Sequence, residues 1–306
     1  MDLVINILEQ GLLFGIVSIG VYITYKILDF PDLSVDGTYP LGAAICAMLL
    51  IKDVNPWIAI VLATLGGALA GLTTALLNVK LKITNLMSGI LVMIGLYSIN
   101  LMIMGGANVP LFSTKDVFNS ENKIVTIVIV IIFVKVLFDL FLKTKIGNLL
   151  VAVGDNDQFV TSLGVNKDIV KIIGLMISNG LVAMAGALTA QYQGFSEVSM
   201  GTGIVVMGLA AVIIGNSIFK KLSFVKVTTL SILGSIIYKL AIAIVLKLEI
   251  NPNYLKLMTA IIVIIALSFD SGVIKIKRKN KKMVKNISID KGGEIHAKDT
   301  RIAQGL

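Results

Sequence analysis

"ALAGLTTALLNVKLKITNLMSGILVMIGL", residues 68–96, is the stretch on which the fold turns. Two almost uncharged runs flank a short break that carries Lys80 and Lys82. Followed outward, the runs cover 57–78 and 84–106, each close to the ~20 apolar residues that a helix needs to cross the hydrocarbon core. Comparable windows recur at 3–26, 39–51, 123–142, 169–191, 203–218, 223–247 and 255–272. The pattern predicts an all-α, polytopic membrane protein with about nine transmembrane helices, roughly eight to ten at the limits. The windows 39–51 and 203–218 are too short to span as straight helices, which points to half-helices packed inside protein.

Composition agrees. Of 306 residues, 56% are apolar and 15% charged, against roughly 45–50% and ~25% in soluble domains. The mean hydropathy is +0.93. The first apolar run begins at Leu3, after Asp2 and without a basic region or a small-residue cleavage site, and reads as a retained span rather than a signal peptide. Residues 1–272 are expected to form one transmembrane domain and 273–306 a basic, disordered tail. Residues 274–306 hold ten Lys and Arg against three acids, so they supply +7 of the formal +9. A basic run directly after the last apolar window is what the positive-inside bias leaves on a cytoplasmic C-terminus, and it suits anionic lipid rather than nucleic acid. With the N-terminus outside, Lys26, Lys80, Lys82, Lys143, Lys145, Lys167, Lys171, Lys220 and Lys221 fall on the inner side, and Lys52, Lys115 and Lys123 on the outer. The chain is thus expected in the cell membrane.

The opening stretch has an echo, "AMAGALTAQYQGFSEVSMGTGIVVMGL", residues 183–209. Each copy has a small-residue helix with A-G, a polar break, and then G-I-(L/V)-V-M. The predicted orientation makes the first enter from outside and the second from inside, the arrangement of an inverted repeat. Small-residue membrane helices also resemble one another by composition alone, and both explanations stand at this level.

No catalytic set is present. The chain lacks G-x-x-x-x-G-K-[ST], G-x-S-x-G and H-E-x-x-H, so energy must come from a partner or a gradient. One cysteine, Cys46, and one histidine, His296, give no material for a metal centre, and no cofactor is expected.

Two segments carry the functional signal. In "FPDLSVDGTYPLGAA", residues 30–44, Pro31 and Pro40 interrupt helices while Asp32, Ser34, Asp36, Thr38 and Tyr39 sit between apolar runs. Either this is a broken helix lining a path through the membrane, or it is an interfacial loop whose acids face water. "KTKIGNLLVAVGDNDQFVTSLGVNKDIVK", residues 143–171, is a long, polar, inner connection, suited to docking a soluble partner or serving only as a link.

The order "IGNLLVAVGDNDQFVTSLGVNKDIVK", "ISNGLVAMAGALTAQYQGF" and "VSMGTGIVVMGLAAVIIG" (146–171, 177–195 and 198–215) resembles the permeases of branched-chain amino acid and ribose type ABC importers. The resemblance covers about residues 10–272. It implies a coupling helix that seats in a cytoplasmic ATPase, carried here by Val153, Gly154, Asp155, Asn156 and Asp157 and by Leu163, Gly164 and Asn166. It further implies a permease homodimer, two ATP-binding subunits below and an extracytoplasmic solute-binding protein above. "DLSVDGTYPLGAA" looks like a branch of that family whose proposed solutes include tryptophan and tyrosine. The chain departs from the pattern where an Arg often precedes the coupling loop; Asn148 stands at that position, with Lys143 and Lys145 nearby. A secondary transporter or channel that works without an ATPase is the competing reading.

Polar residues stranded in apolar windows extend the candidate pathway: Asn85, Ser88, Tyr97 and Asn100 in 84–106, and Gln191, Gln193, Ser196 and Glu197 after the sixth window. Each could instead join helix to helix. Lys239 lies well inside its window and either snorkels or pairs with an acid such as Glu197. Lys135 and Asp139 are spaced to pair on one helix face.

Overall fold

A computed structural model describes residues 2–118, 123–219, 226–247 and 255–270. The chain divides into two units, Met1–Val273 and Ile274–Leu306. The second unit lies outside the described residues, and with it the basic tail and His296; Lys220 and Lys221 do too.

Nine helices answer the nine windows: α1 (Asp2–Tyr22), α2 (Val35–Ile51), α3 (Pro56–Val79), α4 (Asn85–Met104), α5 (Lys123–Leu142), α8 (Lys167–Gln193), α9 (Ile204–Ile218), α10 (Val227–Lys247) and α11 (Leu255–Asp270). Two short helices, α6 (Lys145–Asp155) and α7 (Asp157–Ser162), occupy the polar connection. Among the described residues seven helical segments are long and apolar enough to cross a membrane; they include Val198–Ile218, so the window 203–218, expected to be too short, is lengthened by the turn Val198–Gly201, while α2 stays short. The all-α expectation needs one addition: β1 (Asn108–Pro110) pairs antiparallel with β2 (Phe195–Glu197) in the register Val109 to Ser196, joining the chain after α4 to the chain after α8.

Starts and stops follow local chemistry. Asn55 accepts from Trp57 N and Pro56 occupies the first turn of α3, where a missing N–H costs nothing. Gly105 and Gly194 end α4 and α8 in left-handed conformation. Beyond Tyr22 the backbone widens into a π-helical turn, Ile23–Ile27, and reverses through Asp29, whose φ is 48°.

Helix α8 is the axis of the bundle. At 27 residues it measures about 40 Å, and α1, α2 and α3 pack along it. Helix α3 runs antiparallel to it: a Cβ on Gly67 would meet Ala183, and one on Gly71, a turn later, would strike the carbonyl of Leu175. Only glycine permits this backbone approach. Because α3 and α8 open the two sequence copies, the copies are inverted relative to each other. Helix α2 lies parallel to α8, with Thr38 beside Asn179 and Cys46 beside Gln191. It therefore begins halfway along α8 and reaches only one end, as a half-helix does.

The same contacts define two ends. Lys26, Lys80, Lys82, Lys143, Lys145, Lys167 and Lys171 sit at the end where α8 begins; the strand pair lies at the other, with Tyr192 Oη donating to Glu9 Oε2 at 2.8 Å near the start of α1. At the lysine-rich end Asp139 joins the expected Lys135 (2.8 Å) and also meets Lys226 Nζ (3.0 Å) and Thr228 Oγ1 (2.7 Å), tying α5 to the start of α10.

Candidate functional site

The break before α2 is built around Asn179. Asp32 Oδ1 accepts from Ser34 N at 2.8 Å, an Asx turn that lets the chain start a helix. Its Oδ2 accepts from Asn179 Nδ2 at 2.8 Å. The same Asn179 amide donates to Leu175 O at 3.1 Å, and its oxygen accepts from Ser34 Oγ (3.1 Å) and Thr38 Oγ1 (2.7 Å). All four side chains are buried, Asp32 at 2% exposure. Asp32 does not face water as an interfacial loop would have it but is sealed in the protein, whereas Asp36 keeps part of its surface exposed. One turn on, Asp36 Oδ2 accepts from Gly203 N (2.9 Å) and Oδ1 from Val205 N (2.8 Å). A carboxylate from the half-helix α2 thus caps the N-terminus of α9, taking up N–H groups that have no partner within that helix.

The remaining pathway candidates disperse. Asn100 donates to Gly37 O at 3.1 Å, fastening α4 to the first turn of α2. Ser88 is buried and returns to Asn85 O, while Asn85 accepts from Asn78 Nδ2 at 2.8 Å at the lysine-rich end. Tyr97 faces outward from α4. Gln191 accepts from Val117 N (3.0 Å) and donates to Cys46 Sγ (3.1 Å). Ser196 and Glu197 lie on β2, and Glu197 accepts from Ser199 Oγ. Among the described residues no acid pairs with Lys239, so the suggested link to Glu197 is not made. Lys239 instead places Nζ 5.1 Å from the centre of the Phe14 ring, at a cavity that Gln193 also lines.

The polar connection folds into a hanger and a tip. Thr144 caps α6, and Val153 and Leu150 are buried against α8 and the turn after α1. A Cβ on Gly154 would collide with the carbonyl oxygen of Ile27 and lie 3.2 Å from Leu28 Cα. Asn156 and Asn166, read from the sequence as docking residues, are the N-caps of α7 and α8, accepting from Phe159 N (3.0 Å) and Asp168 N (2.9 Å). Asp157 is held to α8 by Lys167 Nζ at 2.7 Å and Lys171 Nζ at 3.7 Å. The Lys167 hydrogen bond holds its carboxyl below the usual carboxylate range. The exposed residues of the segment include Asp155, Asn156, Phe159, Leu163, Gly164 and Asn166, with Phe159 at 56% and Leu163 at 60%. Beside it a cleft of about 330 Å³ is lined by Asp29, Asn85, Asp155 and Lys171 among others.

These features meet a family description. The model of the branched-chain amino acid transport system permease component matches residues 3–267. The chain belongs to this family. It is accordingly a multi-pass membrane permease, the transport component of an ABC-type importer family. The chain is 49% identical over 286 residues to the tyrosine transport system permease protein of Clostridioides difficile (strain R20291), covering 93% of this chain and 97% of that one. An uncharacterized protein of Rickettsia prowazekii (strain Madrid E) is 34% identical over 275 residues, covering 88% and 98%. The ribose import permease protein RbsC of Escherichia coli (strain K12) is 23% identical over 220 residues, covering 69% and 68%. No solved structure matches the chain.

Two residues of this permease were missed from the sequence, Asn179 and Phe159. Asn179 carried the same signal as Asn100, an amide stranded in an apolar helix, beside Ser178. Phe159 gave none, because an apolar residue in a polar connection looks like ordinary core.

Proposed function

We propose that this permease is the membrane-spanning subunit of an ATP-driven importer for an amino acid, with an aromatic amino acid such as tyrosine as the solute. Two copies line one path, a pair of ATP-binding subunits docks at the lysine-rich end, and a solute-binding protein docks at the strand end. That makes the lysine-rich end cytoplasmic and the N-terminus external, with 273–306 a cytoplasmic tail distinct from the transmembrane domain.

The observation that carries this reading is the seat of the α6–α7 tip. Its exposed Phe159 and Leu163 stand at the lysine-rich end, where a motor protein can grip them. Its root, Gly154, rests on Ile27, five residues before Asp32. A push on the tip therefore reaches the turn that leads into the Asp32–Asn179 network, and through Asp36 the start of α9. Sealed residues (Asp32, Ser34, Thr38, Ser88, Asn100, Gln191) serve as the hinge of this movement. Asp36, Tyr97, Gln193 and Glu197 retain exposed surface and are the ones available to a solute. Asn85 belongs with the coupling cleft. Asn156, Asp157 and Asn166 act by shaping the tip, and Val153 and Gly154 by anchoring it. The solute assignment is supported by the 49% relative described as a tyrosine permease.

The test is co-purification with the ATP-binding subunit. Phe159→Asp and Leu163→Asp should each lower recovery of that subunit at least tenfold while the permease still reaches the membrane. Undiminished recovery overturns the docking assignment. Uptake in vesicles that follows an ion gradient and ignores ATP would replace the importer with a secondary transporter.

A further inference from the structure

Between α1, α2, α8, α9 and α10 lies a cavity of about 220 Å³, on the strand-end side of Asn179. Its walls include Lys239, Phe14, Tyr39, Thr189, Tyr192 and Gln193. Nothing in the hinge or the coupling tip uses it.

Lys239 is the unusual member. It stands in the interior of an apolar helix, where a cation is costly and is met by an acid, a carbonyl or water. Among the described residues no acid comes within ion-pair distance, and no hydrogen bond is made to its amine. Two acids approach the wall and both are engaged: Glu9 by Tyr192 Oη at 2.8 Å and Asp36 by the N–H groups of Gly203 and Val205. The Phe14 ring, 5.1 Å from Nζ, offsets only part of the cost. The same cavity is lined by the hydroxyls of Tyr39 and Thr189, which bond to each other, and by the amide of Gln193, groups that can each donate or accept. A cation with no partner among the described residues, in a cavity that also holds hydroxyl and amide groups and aromatic rings, is complementary to a carboxylate attached to an apolar body. The volume falls below the roughly 300–1,000 Å³ of pockets for drug-sized ligands, which restricts the guest to a small molecule or one end of it.

We infer that this cavity is a carboxylate-binding station for the transported amino acid, with Lys239 as the counter-ion of its carboxylate. The inference rests on the amino-acid importer reading and adds which atoms of the solute are recognised. It places the station in the outer half of the bundle, above the hinge, where solute released from a binding protein arrives first. Lys239 thereby selects for acids over the matching amines.

The experiment uses the full chain with its ATP-binding and solute-binding partners in proteoliposomes, and measures ATP-driven uptake of L-tyrosine. Lys239→Met should lower uptake at least tenfold while the variant still assembles with its ATP-binding and solute-binding partners as the wild type does. Lys239→Arg, which keeps the cation, should retain a third or more. Wild-type uptake by Lys239→Met overturns the inference, because a lysine that merely snorkels is replaceable by a long apolar side chain. A second arm treats the wild-type permease with an amine-acetylating reagent and reads Lys239 by mass spectrometry, with benzoate as the probe and benzylamine as the control. Protection by benzoate alone supports the station; equal labelling in both overturns it. Should the wild-type vesicles carry no amino acid, the importer reading fails by itself and the labelling arm still decides the cavity.

Discussion

Replacing Asn179 tests the hinge at its most connected point. Asn179→Leu keeps the volume close to native and removes the amide that serves Asp32, Ser34 and Thr38 together. Interhelical hydrogen bonds between neutral groups in membrane proteins average about 0.6 kcal/mol, and bonds to a carboxylate are roughly twice as strong. The variant loses one bond of the stronger kind and three of the weaker, including that to Leu175 O, and it leaves Asp32 buried with only the Ser34 N–H. The expected loss of stability is about 3 kcal/mol, on the order of a 100-fold shift in the unfolding equilibrium. Reversible unfolding in mixed micelles, followed by circular dichroism, measures it. A cycle with Asp32→Asn isolates the pair, with an expected coupling of about 1 kcal/mol. A loss below about 0.5 kcal/mol for Asn179→Leu, or a coupling near zero, would refute the claim that this amide holds the broken helix to α8.

Two further outcomes follow from the coupling segment. Gly154→Val should lift α6 from the Ile27 turn and cut solute-stimulated ATP hydrolysis at least tenfold, with basal hydrolysis by the free ATP-binding subunit unchanged, since the added side chain has no room beside the Ile27 carbonyl. Asp157, whose carboxyl is held low by Lys167, should steady α7 at every pH above the unfolded carboxylate value of about 3.9, and this support is lost as pH falls through the lower folded value. Because the pair is solvent-exposed its worth is small, about 0.2–1 kcal/mol. Hydrogen exchange at residues 157–162 should therefore be level from pH 8 to pH 5 after correction for intrinsic rates, and faster in Asp157→Asn by about twofold to fivefold.

The sites reuse one physical device at different depths. A helix that starts inside the bilayer leaves its first N–H groups without helical partners, and lipid supplies none. For α9 a carboxylate from α2 fills the gap; for α2 the Asx turn at Asp32 and the carbonyls of Leu33 and Ser34 do so, and the Asn179 amide ties the side chains of Asp32, Ser34 and Thr38 to α8. Each solution joins two helices that move apart if the capped helix tilts, so the stabilising contacts of the break are also its restraint. The coupling segment adds a third joint, made by packing rather than hydrogen bonds, where Gly154 lets α6 sit on the backbone of the turn after α1.

The sequence by itself determined the all-helical membrane class and the order and approximate bounds of the apolar helices, because about twenty apolar residues bounded by charge admit few alternatives in lipid. It likewise marked 39–51 as short from its length, and the inverted echo from its A-G and G-I-x-V-M signatures, whereas 203–218 proved to continue a longer helical segment, Val198–Ile218. Only the tertiary structure decided what the polar residues do. Asp32 and Asp36 look alike in the string "DLSVDG", yet one is sealed under Asn179, 147 residues away, and the other caps α9 from 167 residues away. That Asn156 and Asn166 cap α7 and α8 is visible only in the backbone, and the cavity beside Lys239 exists only once α1 and α8 pack. Apolar burial follows a local period and is written in each segment, whereas a hydrogen bond between helices depends on which segments become neighbours, and that is fixed only when the bundle packs.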